Sequence, residues 1–346
     1  MVKQLNCGEE FAGFKILGQR GGHLVVDRYL AQDESCNQYN LRIFRGFNIL
    51  DPKSVSAGVG YEVKVEGNSW RLAGGWDACF TGNRPSKWKE VHDECGDHFE
   101  YFQNRLAITE ELSGLPGFPE LVATGSYNGH LYFATKFIEG QDLRQKIINR
   151  GIQPDEKLKL MHKLVLPLEQ MHKMNLLHND VKPGNYIVGS NGTIVLMDFD
   201  LSLHSERKIF GGKSTLWHEH TKNGLGTYKY IAPEIVSRNL GVGLTEFSDV
   251  WGGLGVTPYY LLTGGLPFTG RDMDYLSRAI RKNDPSPIKL LLSPNFPQRE
   301  RVSDLVHWSL EKSWHKRPRA IDFRRELEGI LTEEGIDWNE PMVVDL

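Results

Sequence analysis

The chain has 346 residues, of which 40% are hydrophobic and 25% are charged, and its formal net charge at pH 7 is −3. This length suffices for one large domain or for two lobes with separate cores, and the near-neutral charge gives no electrostatic argument for binding nucleic acid or an anionic membrane. The 4 cysteines are too irregularly spaced for a zinc site or a disulfide framework. The sequence predicts no signal peptide, and no apolar run reaches the ~20 residues of a membrane span. We therefore expect a cytoplasmic protein with reduced thiols.

The first part of the chain has the composition of β-structure. Runs of β-branched and aromatic residues predict strands at 14–17, 24–31, 39–44, 121–123 and 131–134. Between the first two strands, residues 18–23 contain Gly18, Gly21 and Gly22, and these glycines predict a turn. The N–H groups of such a turn can approach a phosphate, although a hairpin turn without a ligand is the commoner explanation.

A less regular segment lies between residues 46 and 97. Alternating side chains predict a β-hairpin from 61–65 and 69–72 within it. The segment is interpreted either as a decoration of its lobe or as a docking surface that helps to complete a binding site. The helical spacing of apolar residues then predicts a helix over 99–112.

The pattern changes from strands to helices after a predicted connector at 139–142. Apolar spacing predicts a helix over 154–174, with Pro167 in its interior, where proline removes a hydrogen bond and favours a kink. This helix leads into a loop at 178–185, and the loop is followed by a predicted hairpin that ends at Asp198.

The loop at 178–185 reads His-Asn-Asp-Val-Lys-Pro-Gly-Asn, and it combines a carboxylate, an ammonium and an amide. Asp180 is suited to accept a hydroxyl proton, and Lys182 is suited to neutralise charge on a transferred group. Asn185 can hold a metal ion, and Asp198 supplies a second potential metal ligand. This combination predicts phosphoryl transfer.

Further motifs follow in order: Asp-Phe at 198–199, Gly-Thr-Tyr-Lys-Tyr-Ile-Ala-Pro-Glu at 226–234, Ser-Asp-Val-Trp at 248–251 and a late Arg-Pro at 317–318. With them, the chain resembles the eukaryotic-type Ser/Thr protein kinase family over about residues 14–331, more closely after residue 130. The resemblance implies an α+β, bilobal protein kinase-like fold, with a small β-rich N-lobe that contains one main helix and a larger, mainly helical C-lobe. The expected divisions are an N-lobe at 11–138 with an insertion at about 46–97, a C-lobe at 139–331 and a C-terminal tail at 332–346.

The resemblance also implies an activity, namely the transfer of a phosphoryl group from ATP, with Mg²⁺, to Ser or Thr of a protein substrate. Asp180 would be the catalytic base, and Lys182 and Asn185 would complete the catalytic set. Asn185 and Asp198 would hold Mg²⁺. Lys182, two residues after the base, and Thr227 both resemble the Ser/Thr class of the family. The oligomeric state is left open.

The same resemblance assigns nucleotide-binding positions, which are Gly18, Gly21, Gly22, Arg42, Thr135, Lys136, Ile138, Asp142 and Ile187. Thr135 would be the gatekeeper, and Lys136 and Ile138 would belong to the hinge that contacts adenine. Ile187 would lie under the adenine. Asp142 would contact the ribose or a basic substrate.

The resemblance also implies two contacts that stabilise the structure around the site. Glu234 would pair with Arg317 and so join the end of the activation segment to the last helices. Asp249 would brace the catalytic loop from below. The helix after Asp249 contains Pro258 and several glycines, which disfavour a regular helix, so we expect a kink near Leu254.

Several positions depart from the family pattern. Arg42 stands where the family has the lysine that grips the α- and β-phosphates. The partner glutamate is not evident, because counting back from Leu112 leads to Arg105, and Glu100 or Glu110 could serve only with a shifted register. The glycine loop lacks its last glycine. Asn179 replaces the arginine that clamps a phosphorylated activation loop, so activity is predicted not to depend on phosphorylation there. Asp200 replaces a flexible glycine, and its side chain is predicted to point to solvent.

Three functions are left open by these departures. The first is an active Ser/Thr protein kinase. The second is a pseudokinase, a nucleotide-binding or protein-interaction module with weak or no transfer. The third is a kinase-like enzyme that uses ATP for another transfer reaction.

Overall fold

The computed structural model describes residues 5–23, 26–44, 62–66, 69–73, 104–127, 130–149, 151–190, 192–205, 228–237 and 244–339. The chain divides into two compact units. The N-terminal unit comprises Met1–Leu115 and Pro119–Phe137, and the C-terminal unit comprises Pro116–Phe118 and Ile138–Leu346. Within the described part of the chain, no helix combines the length and the apolar character needed to cross a bilayer.

The strands of the N-terminal unit are β1 (Glu10–Phe11), β2 (Phe14–His23), β3 (Val26–Gln32), β4 (Gln38–Phe44), β5 (Glu62–Glu66), β6 (Ser69–Ala73), β7 (Leu121–Tyr127) and β8 (His130–Lys136). Six of them form an antiparallel sheet in the order β1-β2-β3-β4-β8-β7. Strands β5 and β6 pair with each other in a separate hairpin. These pairings confirm the hairpin predicted inside the insertion and the strands predicted at 39–44, 121–123 and 131–134.

The glycine segment belongs to strand β2 and is not a turn. Gly18, Gly21 and Gly22 all have partners in β3, and the register shifts twice, next to Gly18 and next to Gly21. A bulge leaves one residue of a strand unpaired, and glycine accommodates it because it has no side chain to place. The turn predicted over 18–23 is therefore wrong, because the glycines mark bulges in a continuous strand.

The two faces of the sheet carry different cores. One face buries a cluster of aromatic and aliphatic side chains that includes Phe14 and Tyr29. The other face contacts a helix, α1, which the structure describes over residues 104–112, and Leu106 of this helix packs with Phe133 of β8. The helix predicted in this region is confirmed for the residues described.

The C-terminal unit contains the helices α2 (Leu143–Asn149), α3 (Pro154–Lys173), α4 (Pro233–Val236), α5 (Glu246–Val250), α6 (Thr257–Thr263), α7 (Met273–Lys282), α8 (Arg299–Ser309) and α9 (Ala320–Glu333). Its short strands are β9 (Gly140–Asp142), β10 (Leu176–Leu177), β11 (Tyr186–Gly189), β12 (Ile194–Leu196) and β13 (Leu203–His204). Strand β11 pairs with β9 and β12, and β10 pairs with β13. The predicted helix before the catalytic loop is confirmed as α3, which continues through Pro167.

A π-helical turn, Trp251–Val256, connects α5 to α6, and all of its side chains are buried. A Cβ atom on Gly252 would lie 2.7 Å from the carbonyl oxygen of Val181, and one on Gly253 would lie 2.7 Å from the Val181 side chain. The glycines therefore let this helix approach the catalytic loop closely. The sequence predicts a kink near Leu254, and the structure has a π turn there, which is a recognised cause of helix bending.

A network of charged side chains joins α3 to α9. Arg324 contacts Glu169 at 2.6 Å and Glu328 at 2.7 Å, Lys173 contacts Glu169 at 2.7 Å, and the ring of His162 lies 3.0 Å from Glu328. Burial alone would raise the pKa of Glu169, but Arg324 and Lys173 hold it below its usual value. Burial lowers the pKa of His162. Salt bridges to α9 thus hold α3, the helix that precedes the catalytic loop.

Candidate active site

The loop at 178–185 is held in place by Asp249, near the end of α5. The carboxylate of Asp249 is buried and accepts the backbone N–H groups of His178 at 2.8 Å and Asn179 at 2.7 Å. Hydrogen bonds to an ionised acceptor are short and strong, so they fix the start of the loop. The brace predicted for Asp249 is confirmed.

His172 is a member of this brace that the sequence analysis missed. It lies in the last turn of α3, and its Nε2 atom is 3.3 Å from Asp249 Oδ2. The signal in the sequence is a polar side chain one residue after the apolar stripe of the helix that ends with Met171, directly before the loop.

Asn179 adopts a left-handed backbone conformation, with φ at 62°, which asparagine tolerates better than most residues. Its side-chain N–H donates to the carbonyl oxygen of Leu201 at 2.9 Å. The residue that replaces the family arginine is therefore neutral, and its amide N–H is engaged within the unit.

Asp180, Lys182 and Asn185 meet around one carboxylate. Lys182 Nζ lies 2.5 Å from Asp180 Oδ2, and the side-chain N–H of Asn185 donates to the same oxygen at 3.1 Å and to the backbone oxygen of Asp180 at 2.8 Å. The other oxygen, Asp180 Oδ1, is buried and accepts no hydrogen bond from the residues that the structure describes. A buried acceptor without a partner is costly, so this oxygen is suited to receive a hydroxyl from outside.

Backbone hydrogen bonds place Asp198 next to this loop. The N–H of Met197 donates to the carbonyl oxygen of Asn185 at 2.7 Å, and the ring of His178 lies 3.0 Å from the carbonyl oxygen of Met197. Asp198 itself has a left-handed backbone, with φ at 70°, before a short 3-10 helix at Phe199–Leu201. Because Met197 directly precedes Asp198 and donates to Asn185, it holds the two candidate metal ligands, Asn185 and Asp198, close to each other.

The donor atoms at Asn185 and Asp198 suit Mg²⁺. The amide nitrogen of Asn185 is engaged with Asp180, so its amide oxygen is the atom available to a metal. Mg²⁺ takes oxygen ligands and is commonly held by one or two side chains together with phosphate oxygens and water. Among the described residues, no three His, Cys, Asp or Glu side chains are grouped to hold a metal by themselves. The remaining ligands would come from the nucleotide and from water.

Asp200 is buried, with 6% of its surface exposed, and the prediction that it points to solvent is wrong. Phe199–Leu201 forms a 3-10 helix whose buried residues are Phe199 and Asp200. A carboxylate therefore lies inside the protein directly after the Asp-Phe pair.

The end of the activation segment is anchored by a buried ion pair. Arg317 makes two hydrogen bonds to Glu234, at 2.9 and 2.8 Å, and it also donates to the carbonyl oxygen of Phe247 at 2.7 Å. Its guanidinium carbon lies 4.9 Å from the centroid of the Trp251 ring. The predicted pairing of Glu234 with Arg317 is confirmed.

A small cavity of about 20 Å³ adjoins the catalytic loop. Its lining includes Asp180 and Val181 from the loop and Ile231, Ala232 and Ile235 from the residues around the start of α4. The candidate base thus borders a mainly apolar recess formed by the end of the activation segment.

The candidate phosphate-gripping position in the N-terminal unit is occupied by Arg42 on β4. Its guanidinium carbon lies 5.5 Å from the centroid of the Phe133 ring, and that of Arg105, from α1, lies 5.9 Å from the same centroid. Phe133, which the sequence analysis did not single out, thus contacts both arginines. Thr135, two positions along β8, is fully buried, and its hydroxyl has no hydrogen-bond partner among the described residues.

The candidate hinge and ribose positions lie at the ends of strands. Lys136 ends β8 with an exposed side chain, and Ile138 is half-buried at the start of the second segment of the C-terminal unit. Asp142 and Ile187 are directly paired between β9 and β11. The Asp142 carboxylate accepts the N–H of Gln145 at 2.8 Å and so caps the first turn of α2.

Some sequence-based assignments lie outside the described residues. Thr227 is one of them, and Thr215 and Thr221, two threonines of the activation segment, also lie outside the described residues. Apart from strands β5 and β6, the predicted insertion at 46–97 also lies outside the described residues. The chain from residue 340 onward lies outside them as well.

Comparison with known proteins agrees with this geometry. The family model described as "Protein kinase domain" matches residues 89–326. Human Ribosomal protein S6 kinase alpha-2 is 32% identical over 213 residues, which are 61% of this chain and 26% of that protein. Rat Ribosomal protein S6 kinase alpha-1 is 29% identical over 214 residues, again 61% of this chain and 26% of the relative. The chain thus spans only about a quarter of the length of these relatives.

The family match covers more than half of the chain and includes the catalytic loop, the Asp-Phe pair and the Glu234–Arg317 anchor. The strand-rich N-terminal unit and the mainly helical C-terminal unit confirm the α+β, bilobal fold. This chain therefore belongs to the protein kinase family.

Proposed function

We propose that the chain transfers the terminal phosphoryl group of ATP to a Ser or Thr hydroxyl of a protein substrate, with Asp180 as the proton acceptor. The observation that carries the proposal is the set of contacts around Asp180: one oxygen is held by Lys182 and Asn185, and the other is buried with an unused acceptor position. A carboxylate held in this way is oriented before the substrate arrives, and such positioning supplies much of the rate in phosphoryl transfer.

The proposed chemistry assigns one task to each side chain. Asp180 Oδ1 accepts the hydroxyl proton while the substrate oxygen bonds to phosphorus and the bond to the leaving diphosphate breaks. Lys182, 2.5 Å from Asp180 Oδ2, lies where an ammonium can also reach a charged phosphoryl group. Asn185 and Asp198 would hold Mg²⁺, which when bound neutralises charge on the phosphate oxygens. Asp249 keeps the loop in place through the N–H groups of its first residues.

The proposal includes the remaining expectations about partners and location. The substrate is a protein, the nucleotide is ATP with Mg²⁺, neither nucleic acid nor membrane is bound, and the protein is cytoplasmic. The nucleotide is held by Gly18, Gly21, Gly22, Arg42, Thr135, Lys136, Ile138, Asp142 and Ile187. The lobes are divided at 11–138 and 139–331, with a tail at 332–346. The family match and the relatives named as ribosomal protein S6 kinases favour this function over a pseudokinase or another ATP-dependent transferase.

The test measures binding and transfer separately. Wild type, Asp180→Asn and Asp155→Asn are compared for Mg·ATP binding by thermal shift and for transfer of γ-labelled phosphate to the protein itself and to a generic Ser/Thr acceptor. Asp155 is an exposed carboxylate in the first turn of α3 and serves as the control. Loss of a general base typically costs about 10²- to 10⁴-fold in rate, so Asp180→Asn is expected to lose transfer by this factor while it still binds nucleotide.

Two results would contradict the proposal. Nucleotide binding by the wild type without any transfer would support the pseudokinase. A product labelled by the adenosine part of ATP, and not by its γ-phosphate, would support another transfer reaction.

A further inference from the structure

A half-buried lysine of the C-terminal unit, Lys312, has no task in the proposed phosphoryl transfer. It lies between α8 and α9, and its Nζ atom is 3.9 Å from the centroid of the Phe268 ring and 5.1 Å from that of the Trp251 ring. The two rings stack on each other, with 5.5 Å between their centroids and 9° between their planes. On this side the ammonium group therefore meets aromatic surface in place of water.

The amino group of Lys312 has few polar partners. An ammonium carries three N–H donors. Among the residues that the structure describes, Lys312 Nζ donates one hydrogen bond, to the carbonyl oxygen of Ile280 in the last turn of α7 at 2.8 Å, and has no carboxylate at ion-pair distance. The guanidinium carbon of Arg317 lies 4.9 Å from the centroid of the same Trp251 ring, so a second positive charge is close. These surroundings disfavour the charged form of the amine.

Lys312 is therefore deprotonated more easily than an ordinary lysine. Burial lowers its pKa to about 8, the carboxylate of Asp284 acts against this shift, and the charge of Arg317 adds to it. Asp284 is exposed, so solvent screens its charge. At about pH 7.5, roughly a quarter of such amines are neutral, compared with roughly one in a thousand for an ordinary lysine. The neutral amine is the form with the lone pair that attacks an electrophile.

Two other half-buried lysines show what is particular to this position. Lys157 donates to the carbonyl oxygen of Leu262 at 2.9 Å, and Lys163 donates to that of Gly192 at 3.0 Å. Burial lowers the pKa of both amines as well. Neither lies over an aromatic ring of the described residues, whereas Lys312 adjoins two rings and a second cation. Lys157 and Lys163 are therefore matched internal controls.

The aromatic surface also determines which adduct fits at this amine. The face of an aromatic ring is negative, so it repels an anionic adduct such as the carbamate that CO₂ forms with an amine. An amide is neutral, and its N–H can keep the hydrogen bond to Ile280. A short acyl chain would pack on the rings of Phe268 and Trp251. The surroundings thus favour an acyl group over a charged adduct.

We propose that Lys312 is a site of N-acylation, with a short-chain acyl thioester as the acyl donor. The neutral amine attacks the carbonyl carbon of the thioester, the N–C bond forms and the C–S bond breaks. The thiolate leaves with the electron pair of that bond, and the nitrogen gives up its proton to water. The product is a neutral amide, so one of the two cations next to the Trp251 ring is lost. This chemistry shares no residue with the set around Asp180 and goes beyond the proposed function.

The experiment measures the rate of acetylation at individual lysines of the whole chain. The wild type reacts with the thioester S-acetyl-N-acetylcysteamine from about pH 6.5 to about pH 10, a range that spans the pKa of both kinds of amine. The remaining amines are then acetylated with a deuterated reagent in urea, and mass spectrometry of the peptides gives the fraction of light label at each site. Lys316 is exposed and serves as the reference. A parallel reaction in urea gives the rates in the unfolded chain.

The expected result is a faster reaction of Lys312 with a different dependence on pH. Lys312 should react about tenfold faster than Lys316 at about pH 7.5. This advantage is smaller than the roughly 200-fold gain in neutral amine, because the nucleophilicity of a group falls with its pKa. The Lys312 rate should level off above about pH 9, whereas the Lys316 rate keeps rising to about pH 10. In urea, the two lysines should react at similar rates.

Several outcomes would overturn the inference. One is an advantage of Lys312 over Lys316 below about threefold in the folded protein, and another is a Lys312 rate that rises with pH like that of Lys316. Faster acetylation of Lys157 or Lys163 than of Lys312 would show that burial alone decides the reactivity. An equal advantage of Lys312 in urea would show that the local sequence, and not the contact with the rings, causes it.

Two variants assign the reactive amine independently. Cleavage at arginine places Lys312 and Lys316 in one peptide, residues 302–317. Lys312→Arg, which keeps a positive charge next to the rings, should lose most of the rapidly added label of this segment, and the matched variant Lys316→Arg should keep it. The opposite pattern would assign the fast reaction to Lys316 and overturn the inference. If Lys312→Arg does not fold, fragment spectra of the wild-type peptide separate the two sites.

Discussion

Two buried arginines, one in each unit of this protein, have different surroundings. Arg317 in the C-terminal unit makes two hydrogen bonds to Glu234 and lies over the ring of Trp251. Arg105 in the N-terminal unit lies over the ring of Phe133 together with another arginine. Both are at most 4% exposed. The first arginine thus has a carboxylate and a ring among its partners, and the second shares its ring with another arginine.

This difference separates the two halves of the proposed chemistry. The loop that carries the proton-accepting residue is braced by contacts that do not depend on a ligand, namely the hydrogen bonds from the backbone N–H groups of His178 and Asn179 to the carboxylate of Asp249. Arg42, which is proposed to contact the nucleotide phosphates, lies over the same aromatic ring as a second arginine, Arg105. Nucleotide affinity should therefore respond to changes in the N-terminal unit, and folding stability should respond most to changes in the C-terminal unit.

The largest expected effect is the loss of stability in Arg317→Met. Removing one partner of a buried ion pair leaves the other charge buried without compensation, which costs about 3–5 kcal/mol. Urea unfolding should show this loss for Arg317→Met. Arg319→Met is the control, since Arg319 forms an exposed pair with Asp322, and such pairs contribute about 1 kcal/mol or less. Equal losses in both variants would refute the contrast drawn above.

Arg42→Lys tests the N-terminal unit. A lysine cannot make the two-pronged contact of arginine, and no glutamate stands at position 105 to hold it, so we expect ATP affinity to fall about tenfold, or about 1.4 kcal/mol. Folding stability should change less than in Arg317→Met. The double variant Arg42→Lys with Arg105→Glu restores the family pair and should recover part of the affinity. A gain in affinity for Arg42→Lys alone would show that a single ammonium suffices at this face.

The network of charged side chains that joins α3 to α9 predicts that folding stability depends on pH. Burial lowers the pKa of His162 in the folded protein, so below about pH 6.5 the unfolded chain takes up a proton that the folded chain does not. Stability is therefore lost as the pH falls from that value through the folded pKa, with a slope of at most about 1.4 kcal/mol per pH unit for one proton. His162→Gln cannot take up this proton, and its stability should fall less steeply between pH 7 and 5.5. Parallel curves for the two proteins would show that other groups cause the loss.

The elements that the sequence predicted well are those in which one local pattern dominates. The β-branched and aromatic composition predicts the strands around Arg42, the apolar stripe predicts α3, and the loop motif brings together the side chains that meet around Asp180. The glycines of β2 were misassigned because a bulge and a turn have the same composition, and only the pairing with β3 distinguishes them. No local pattern reports the burial of Asp200. His172 has a local signal, the polar side chain directly after the apolar stripe of α3, but its partner Asp249 is 77 positions away in the sequence and no local pattern identifies it.

The smallest expected effect concerns phosphorylation of the activation segment. In relatives that depend on it, an arginine before the catalytic base gains a new partner when a phosphate is added. Here that position is Asn179, which is neutral and already donates its side-chain N–H to the carbonyl oxygen of Leu201. We therefore expect Thr221→Asp to change transfer activity by less than about twofold relative to Thr221→Ala, which is below about 0.4 kcal/mol in the barrier. A large activation by Thr221→Asp in the wild type would show that another cation performs the clamping role. If Asn179→Arg makes activity sensitive to the same change, the missing charge at this one position explains the independence.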